Sequence, residues 1–457
     1  MKRYRLIARF AVEKSEDFEI ISLYDGEIKR ERLDKKSPVL NSISSAYTTA
    51  TWFERKIRDD FGIKIRGSFD NRPLLHHERF PKIHPLKKEF DGKKAEFREF
   101  LPYKYETVKG EGVFQVSVGP IHAGIIEPGH FHFSQSGERM LHLEVRHFYT
   151  YRGIEKSLEN QNLLEIKKTV ERISGNESIA YQIAWYDIVM QASGLKYDEE
   201  LKKHHSLLLE LERLAHHLTD IGFIPNDAGF GPALAYASVM AEDVRVFLKE
   251  ISGHRFGFGS IGFEAKEYSV QKVLDFMDTL EEKVKWFEDW IVDIPSLWDR
   301  FDTTGILSKN RALKYGAVGV VARASGVEID RRDNDFYKKH GFVLQSETSG
   351  DVSARFKLRI KEIYNSITLI RNFIGSTCRV QIPNKFQDGE YMSFVESSIG
   401  ELFMYIKLKE GVVQRFYTRD PSFVNWQSLY LMMENDIIAD FPLINKSCDL
   451  SYAGCDL

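Results

Sequence analysis

The chain has 457 residues, 43% hydrophobic and 13% aromatic, enough for two or three domains with their own cores. Its 64 lysines and arginines nearly balance 67 aspartates and glutamates, so a net charge of −3 gives no electrostatic case for nucleic acid as a partner. No apolar run approaches the roughly 20 residues needed to cross a bilayer, and the start MKRYRLIARFAVEKSED lacks a signal peptide's apolar centre and cleavage site, which predicts a cytoplasmic chain or a peripheral one held to a membrane by other subunits.

Residues 1–98 read as a small α/β module. RYRLIARFAV and FEIISLYDG, rich in Ile, Phe, Tyr and Val, predict two strands of a hairpin. SAYTTATWFERKIRDDFGI places apolar side chains at helical spacing and stops at Gly62. The following KIRGSFDNRPLLHHERFPKIHPLKKEFDGKK is irregular, basic and interrupted by Pro73, Pro81 and Pro85, which suits a linker or a tail packed along a neighbour. The module gathers no catalytic groups.

Residues 99–457 form a second domain. Alternation in FQVSV and in HFHFSQSGERMLHLEVRHF predicts a β-hairpin or three-stranded ribbon, with GPIHAGIIEPGH as an intervening loop. Long helices are expected over 155–173, 177–194, 197–221, 233–252, 265–290 and 351–375. In the third, Leu207, Leu211, Leu214 and Leu218 share one face. YMSFVESSIGELFMYIKLKEGVVQRFYTRD then returns to strands, so the fold class is α+β: a small α/β module before a mainly helical domain with strands at both ends.

Three cysteines limit the redox chemistry. An all-cysteine iron–sulfur cluster takes four thiolates, and the spacing in CDLSYAGC matches no common zinc pattern, so Cys378, Cys448 and Cys455 read as ordinary thiols. No glycine-rich nucleotide fingerprint follows a strand, which argues against direct NADH binding.

GPIHAGIIEPGHF, ELERLAHHLTDIG, FDTTGILS, GDVSARFKLRIKEI and FYTRDPSFVNW…DFPLINKS occur in this order over residues 105–457. Together they resemble the large subunit of membrane-bound, energy-converting NiFe hydrogenases and its relative, the D-type subunit of respiratory complex I. WFERKIRDDFGI and HPLKKEF make the front module similar to the complex I C-type subunit. The resemblance implies a hydrogenase-large-subunit-like domain in a membrane-associated oxidoreductase. It also implies an iron–sulfur small subunit of complex I B type, antiporter-like and H-type membrane subunits, and a place on the cytoplasmic face of the inner membrane.

In the hydrogenases the segment matching ERISGNES reads Glu-Arg-x-Cys-Gly-x-Cys-Ser, and its thiolates bind nickel and iron. Here Ser174 and Glu177 stand at those positions, framed by Arg172 and Gly175. The second ligand pair falls at or near Leu443 and Lys446. Serine, carboxylate, leucine and ammonium do not replace four thiolates, so no metal and no cofactor are expected on this chain. By alignment Gly175 also occupies the position of a complex I tyrosine that contacts the quinone headgroup. The expected cofactors are an iron–sulfur cluster in the partner and a quinone at the interface.

Five of the fourteen histidines fall in 122–147. With Glu127 they make the loop a candidate proton path, with Glu127 and His122 foremost and His130 third. The same side chains would equally serve to hydrogen-bond a polar hairpin. His130 and His132 have same-face strand spacing but lack a third metal ligand. Glu210 and Arg213 fit an ion pair, and His216 and His217 fit hydrogen-bonded core positions. Arg172 or Lys446 is expected to pair with Glu177, and Asp440 to close the same cavity. Two functions follow: a working redox subunit that delivers electrons to a quinone or other small acceptor coupled to ion translocation, or a non-redox scaffold between the iron–sulfur and membrane subunits.

Overall fold

The computed structural model describes residues 5–93, 95–122, 126–375, 377–434 and 436–457. Part of the histidine loop, residues 123–125, and the first two residues of the stretch read as the first strand therefore lie outside them.

The N-terminal sheet is antiparallel in the order β1 (Leu6–Glu13), β2 (Asp17–Tyr24), β3 (Glu27–Asp34). Its third strand, EIKRERLD, is nearly all exposed, and that charge hides it from a reading based on apolar runs. β1 is buried on both faces. One face meets helix α1 (Ala50–Phe61) through Ala11, Ile57 and Phe61. The other carries Phe10, which stacks on Tyr417 with ring centroids 4.2 Å apart. Gly62 ends α1 in the left-handed conformation at φ 72°, its N–H donating to the Arg58 carbonyl. Strands β4 (Val39–Asn41) and β5 (Lys64–Arg66) pair in parallel beside it. The basic stretch then runs back along α1, where Asp59 Oδ2 accepts the N–H groups of Leu74 and Leu75 at 2.7 and 2.9 Å.

The ribbon is three-stranded: β6 (Val113–Val118), β7 (His130–Ser136) and β8 (Arg139–Arg146). The stretch expected as one helix over 155–173 is instead two single turns, α2 (Ile154–Ser157) and α3 (Lys167–Val170). The backbone between them leaves the helix because Asn160 takes φ 66° and the chain pairs with the C-terminal sheet, Asn160 N–H donating to the Val413 carbonyl at 2.8 Å. Helices α4 (Ser178–Ser193), α5 (Glu199–Asp227), α6 (Gly231–Ser252) and α7 (Val270–Val292) follow. α5 is the central rod, roughly 44 Å long at 1.5 Å per residue. Asp198 caps its start by accepting from the N–H groups of Glu200 and Leu201. Gly222 lets α6 approach closely, since a methyl there would come within 2.7 Å of the Ala237 Cβ.

Four short helices are not predicted by the sequence: α8 (Pro295–Phe301), α9 (Lys309–Tyr315), α10 (Gly319–Ala324) and α11 (Asp335–Lys339). Each is too short to carry a periodic pattern. The long α12 (Val352–Asn372) packs on α5, and its start is capped by Asp351. The antiparallel strands β9 (Gly389–Glu396), β10 (Glu401–Lys409) and β11 (Val412–Arg419) then receive the N-terminal sheet through Phe403, Tyr405 and Tyr417. The two domains expected from sequence thus share a core. Helices α13 (Pro421–Asn425), α14 (Leu429–Met432), α15 (Phe441–Cys448) and α16 (Ala453–Asp456) complete the chain. Among the described residues no helix is long and apolar enough to cross a membrane.

Candidate functional site

Segment 171–178 turns inward between α3 and α4. Ser174 is extended, and residues Gly175–Glu177 make a single 3-10 turn before α4 begins. The first N–H groups of a helix lack partners within it. Here Glu212 on α5 supplies them from outside, accepting from Ile179 N–H at 2.6 Å and Ala180 N–H at 3.2 Å. Burial nevertheless pushes the Glu212 carboxyl up to about 8, so it holds its proton at neutral pH.

Glu177 is fully buried and faces a second carboxylate, Asp420. Asp420 caps α13 by accepting from Ser422 N–H at 2.8 Å and receives the Tyr181 hydroxyl at 3.0 Å. Burial first and the Asp420 charge second hold Glu177 well above the carboxylate range, and Tyr181 rises for the same two reasons. The C-terminal tail lies across this pair. Gly454 permits it, because a methyl group there would sit 1.8 Å from Asp420 Oδ2. Cys455 follows, its thiol kept protonated by burial and then by Asp420, Asp456 and Glu177.

Asp456 is pushed up to about 7 by burial, although Thr150 N–H donates to it at 3.3 Å. The exposed Glu127 adds its negative charge to the field at Asp456 and Tyr452. The tail is fixed by Ser451 N–H donating to Ser422 Oγ at 2.9 Å and by the Trp426 indole donating to the Ser451 carbonyl at 3.1 Å. Protonatable groups therefore follow one another from the surface inward: Glu127, Asp456, Cys455, then Asp420 with Glu177 and Tyr181, and finally Glu212. Glu212 lines a depression beside Gly175.

Of the residues singled out from sequence, His122 and Glu127 lie at the outer end of this series. The His122 ring is 6.2 Å from that of Tyr452, and burial lowers its pKa. His130 stands apart on the β7 face opposite Phe131, against Tyr105 at 5.0 Å and His132 at 6.1 Å. Among the described residues no third ligand of metal type joins that pair.

The ion pairs expected at Glu177 do not form. Arg172 pairs with its neighbour Glu171 and lies over the Phe258 ring at 4.6 Å, outside the pocket. Lys446 faces α5 from the last turn of α15 and meets Asp220 at 3.2 Å and Asp449. Burial opposes its charge, yet these carboxylates hold its pKa above the usual value. Leu443 is core. Asp440 receives the Arg300 guanidinium at 2.7 Å instead of closing the cavity. Ser174 reaches the tail, its hydroxyl 3.2 Å from that of Ser451.

The Glu210–Arg213 pair forms at 3.1 Å and opens into a buried network with Arg323, Asp330, Arg332, Glu362 and Glu396. His217 contacts Glu362 at 3.1 Å and His216 contacts Asp449 at 2.9 Å, each through Nε2, while neither Nδ1 has a hydrogen-bond partner among the described residues. His216, His217 and Asp220 lie within 4.8 Å of one another. Asp220 is already engaged by Arg359 at 2.8 Å and by Lys446, which leaves no vacant anionic ligand for a cation. The thiols have separate surroundings: Cys378 donates to Asp198, Cys448 to Met432, and Cys455 sits among the acids.

The family model of the respiratory-chain NADH dehydrogenase 49 Kd subunit matches residues 227–385 and 372–457, and that of the 30 Kd subunit matches residues 6–96. Formate hydrogenlyase subunit 5 of Escherichia coli is 26% identical, with 93% of this chain and 78% of that protein aligned. The C/D subunit of the NADH-quinone oxidoreductase of Phocaeicola vulgatus is 25% identical over 91% of this chain and 86% of its own length. A chain of the membrane-bound sulfane sulfur reductase, described as an archaeal respiratory membrane complex, shares the fold with a TM-score of 0.70 at 22% identity. The match covers 76% of this chain and 99% of the other.

Proposed function

The chain belongs to the family of the respiratory-chain NADH dehydrogenase 49 Kd subunit, with a 30 Kd-type module in front, and on that premise we propose that it is the large subunit of a membrane-associated, hydrogenase-related or complex I-like oxidoreductase. Electrons come from an iron–sulfur cluster in a B-type partner subunit and reach a quinone or another small acceptor beside Gly175. Antiporter-like and H-type subunits hold the assembly at the cytoplasmic face of the membrane and couple the reaction to ion translocation. The protons come through this chain.

The observation that carries the proposal is the succession of buried protonatable groups from Asp456 through Cys455 and Asp420 to Glu177 and Glu212, each in the electrostatic field of the next, with exposed Glu127 at its mouth. A buried carboxylic acid with its pKa raised toward neutrality is suited to accept and release a proton at working pH. A nickel–iron centre does not fit the donors present. Such a site needs soft thiolates. Ser174, Glu177, Leu443 and Lys446 offer none, and the three thiols do not converge.

Glu127→Gln in the complex purified from its native membrane tests the reading. Turnover with a quinone or small acceptor should fall by about 100-fold, the scale of one lost proton-transfer group. Metal analysis of the same preparation should return iron in multiples of four and no nickel. Unchanged turnover in an assembled complex would favour the scaffold, which draws support from the way residues 451–456 fill the space beside Ser174 and Glu177.

A further inference from the structure

The depression at the inner end of the carboxyl series has a charge that the proton-handling role does not require. Its volume is about 40 Å³, and it is lined by Gly175, Asn176, Glu212, His216, Arg245 and Arg255. At about 10–15 Å³ per water it has room for roughly three, the bulk of a small oxyanion. A side-chain carbon built on Gly175 would meet nothing within 4 Å, so the depression is open on that side.

Two of the three basic side chains are already matched. Arg255 pairs with Glu242 at 2.6 Å, and His216 contacts Asp449 at 2.9 Å. Arg245 is different. It donates to the Thr219 hydroxyl at 2.8 Å, and among the described residues no carboxylate lies within 4 Å of it. It is partly buried, and burial works against its charge. Glu242, the carboxylate that favours its charge, is engaged by Arg255. The one acid in the depression, Glu212, is held neutral by burial. The depression is therefore lined by a guanidinium that, among the described residues, has no carboxylate in ion-pair contact. A guanidinium's fork of N–H donors matches the oxygens of an oxyanion or carboxylate.

We propose that this depression binds the anionic group of a small acceptor, an oxyanion or a carboxylate, on Arg245. The inference rests on the reading of this place as the acceptor site, and it narrows the acceptor class from any small oxidant to one with a negative headgroup.

Inorganic sulfate is the probe, titrated into the intact purified complex by calorimetry at constant ionic strength maintained with sodium chloride. The wild-type complex should bind about one sulfate per copy of this chain. Arg245→Gln should weaken that binding by roughly tenfold or more, as expected for a lost charge-assisted pair. Arg245→Lys keeps the charge and should retain part of it, while Lys272→Gln on an exposed face of α7 should leave it unchanged. Equal affinity in wild type and in a folded Arg245→Gln complex overturns the proposal, as does wild-type binding that chloride abolishes. If Arg245→Gln fails to assemble, the Lys variant decides: an affinity below wild type but measurable supports the site, and identical affinity and heat refute it. Turnover is scored separately. Sulfate binding lost in Arg245→Gln in a complex that reduces no small acceptor would keep the anion site and remove the redox reading. Turnover that is normal and blind to both sulfate and Arg245→Gln would do the reverse.

Discussion

Glu212→Gln gives a quantitative test of the buried carboxyl series, because an amide is close in shape to the protonated acid and its one oxygen can keep the shorter backbone bond, that from Ile179 N–H, while its NH2 replaces the oxygen that meets Ala180 N–H. The Glu212 carboxyl moves from 4.5 in the open chain to about 8 in the folded protein, driven by burial. A group whose pKa rises on folding binds its proton more tightly when folded, so stability is full below pH 4.5 and is lost as pH climbs toward 8. At about 1.4 kcal/mol per pKa unit, the loss from this residue alone totals roughly 5 kcal/mol once pH has passed 8. Urea midpoints of wild type and variant, measured from pH 5 to pH 9, isolate that contribution from Asp456 and the other titrating acids, which both proteins share. The Ala180 bond lost in the variant offsets the two curves equally at every pH, and on top of that offset the gap should move in the variant's favour by several kcal/mol between pH 5 and pH 8.5. Parallel curves would mean that Glu212 titrates at an ordinary value and that no proton is stored beside α4.

Two further variants test the supports of the site. Arg323→Met removes the cation that meets Glu362 and Glu396 at 2.7 Å and Asp330 at 3.1 Å, leaving four carboxyls to two arginines in a buried network. Breaking such a set costs about 3–5 kcal/mol, or roughly 3–5 °C in Tm for a chain of this length, and Glu396→Gln added to it should recover part of the loss. A melting temperature within 1 °C of wild type would contradict this account. Gly454→Ala drives a methyl into Asp420, so it should cost about 1–3 kcal/mol and lower turnover by disturbing the Tyr181–Asp420 bond. Unchanged stability and turnover would show that the tail yields without disturbing the acids.

The framework is largely legible because it is written in periodic burial. The leucines of α5 mark one face of a long helix, and Gly62 marks a helix end that the structure confirms. The interior of the site is less so. Asp420 stands in FYTRDPS, where Asp-Pro reads as a helix start, and nothing local tells that Tyr181, 239 positions away, donates to its other oxygen. CDLSYAGCDL draws the eye to its thiols, whereas the residues that matter in it are Gly454, which makes room, and Asp456, which titrates. A lysine near the position that the hydrogenase resemblance gives to a metal ligand suggests an ion pair with Glu177. The lysine instead meets Asp220 and Asp449, while Glu177 keeps its proton among like charges.

That partition decides the chemistry. In a buried pocket, a carboxyl beside another carboxyl is cheapest when neutral, whereas one beside an ammonium or guanidinium is cheapest when charged. Two groups of acids on the two sides of α5 show the contrast. Toward α12 and α15, Asp449 is held low by Lys446 and His216 despite burial, and the charges lock those helices together. Toward α4 and the tail, Glu177, Glu212 and Asp456 are held high and are free of cation partners within ion-pairing distance among the described residues. A pocket walled by cation-paired acids would be a structural plug. One walled by neutral acids, with Glu127 on one side and Gly175 on the other, suits the proton-handling role we propose. Among the acids around Glu177 it is the second arrangement that the fold has built, and this is why we assign the chain a working role.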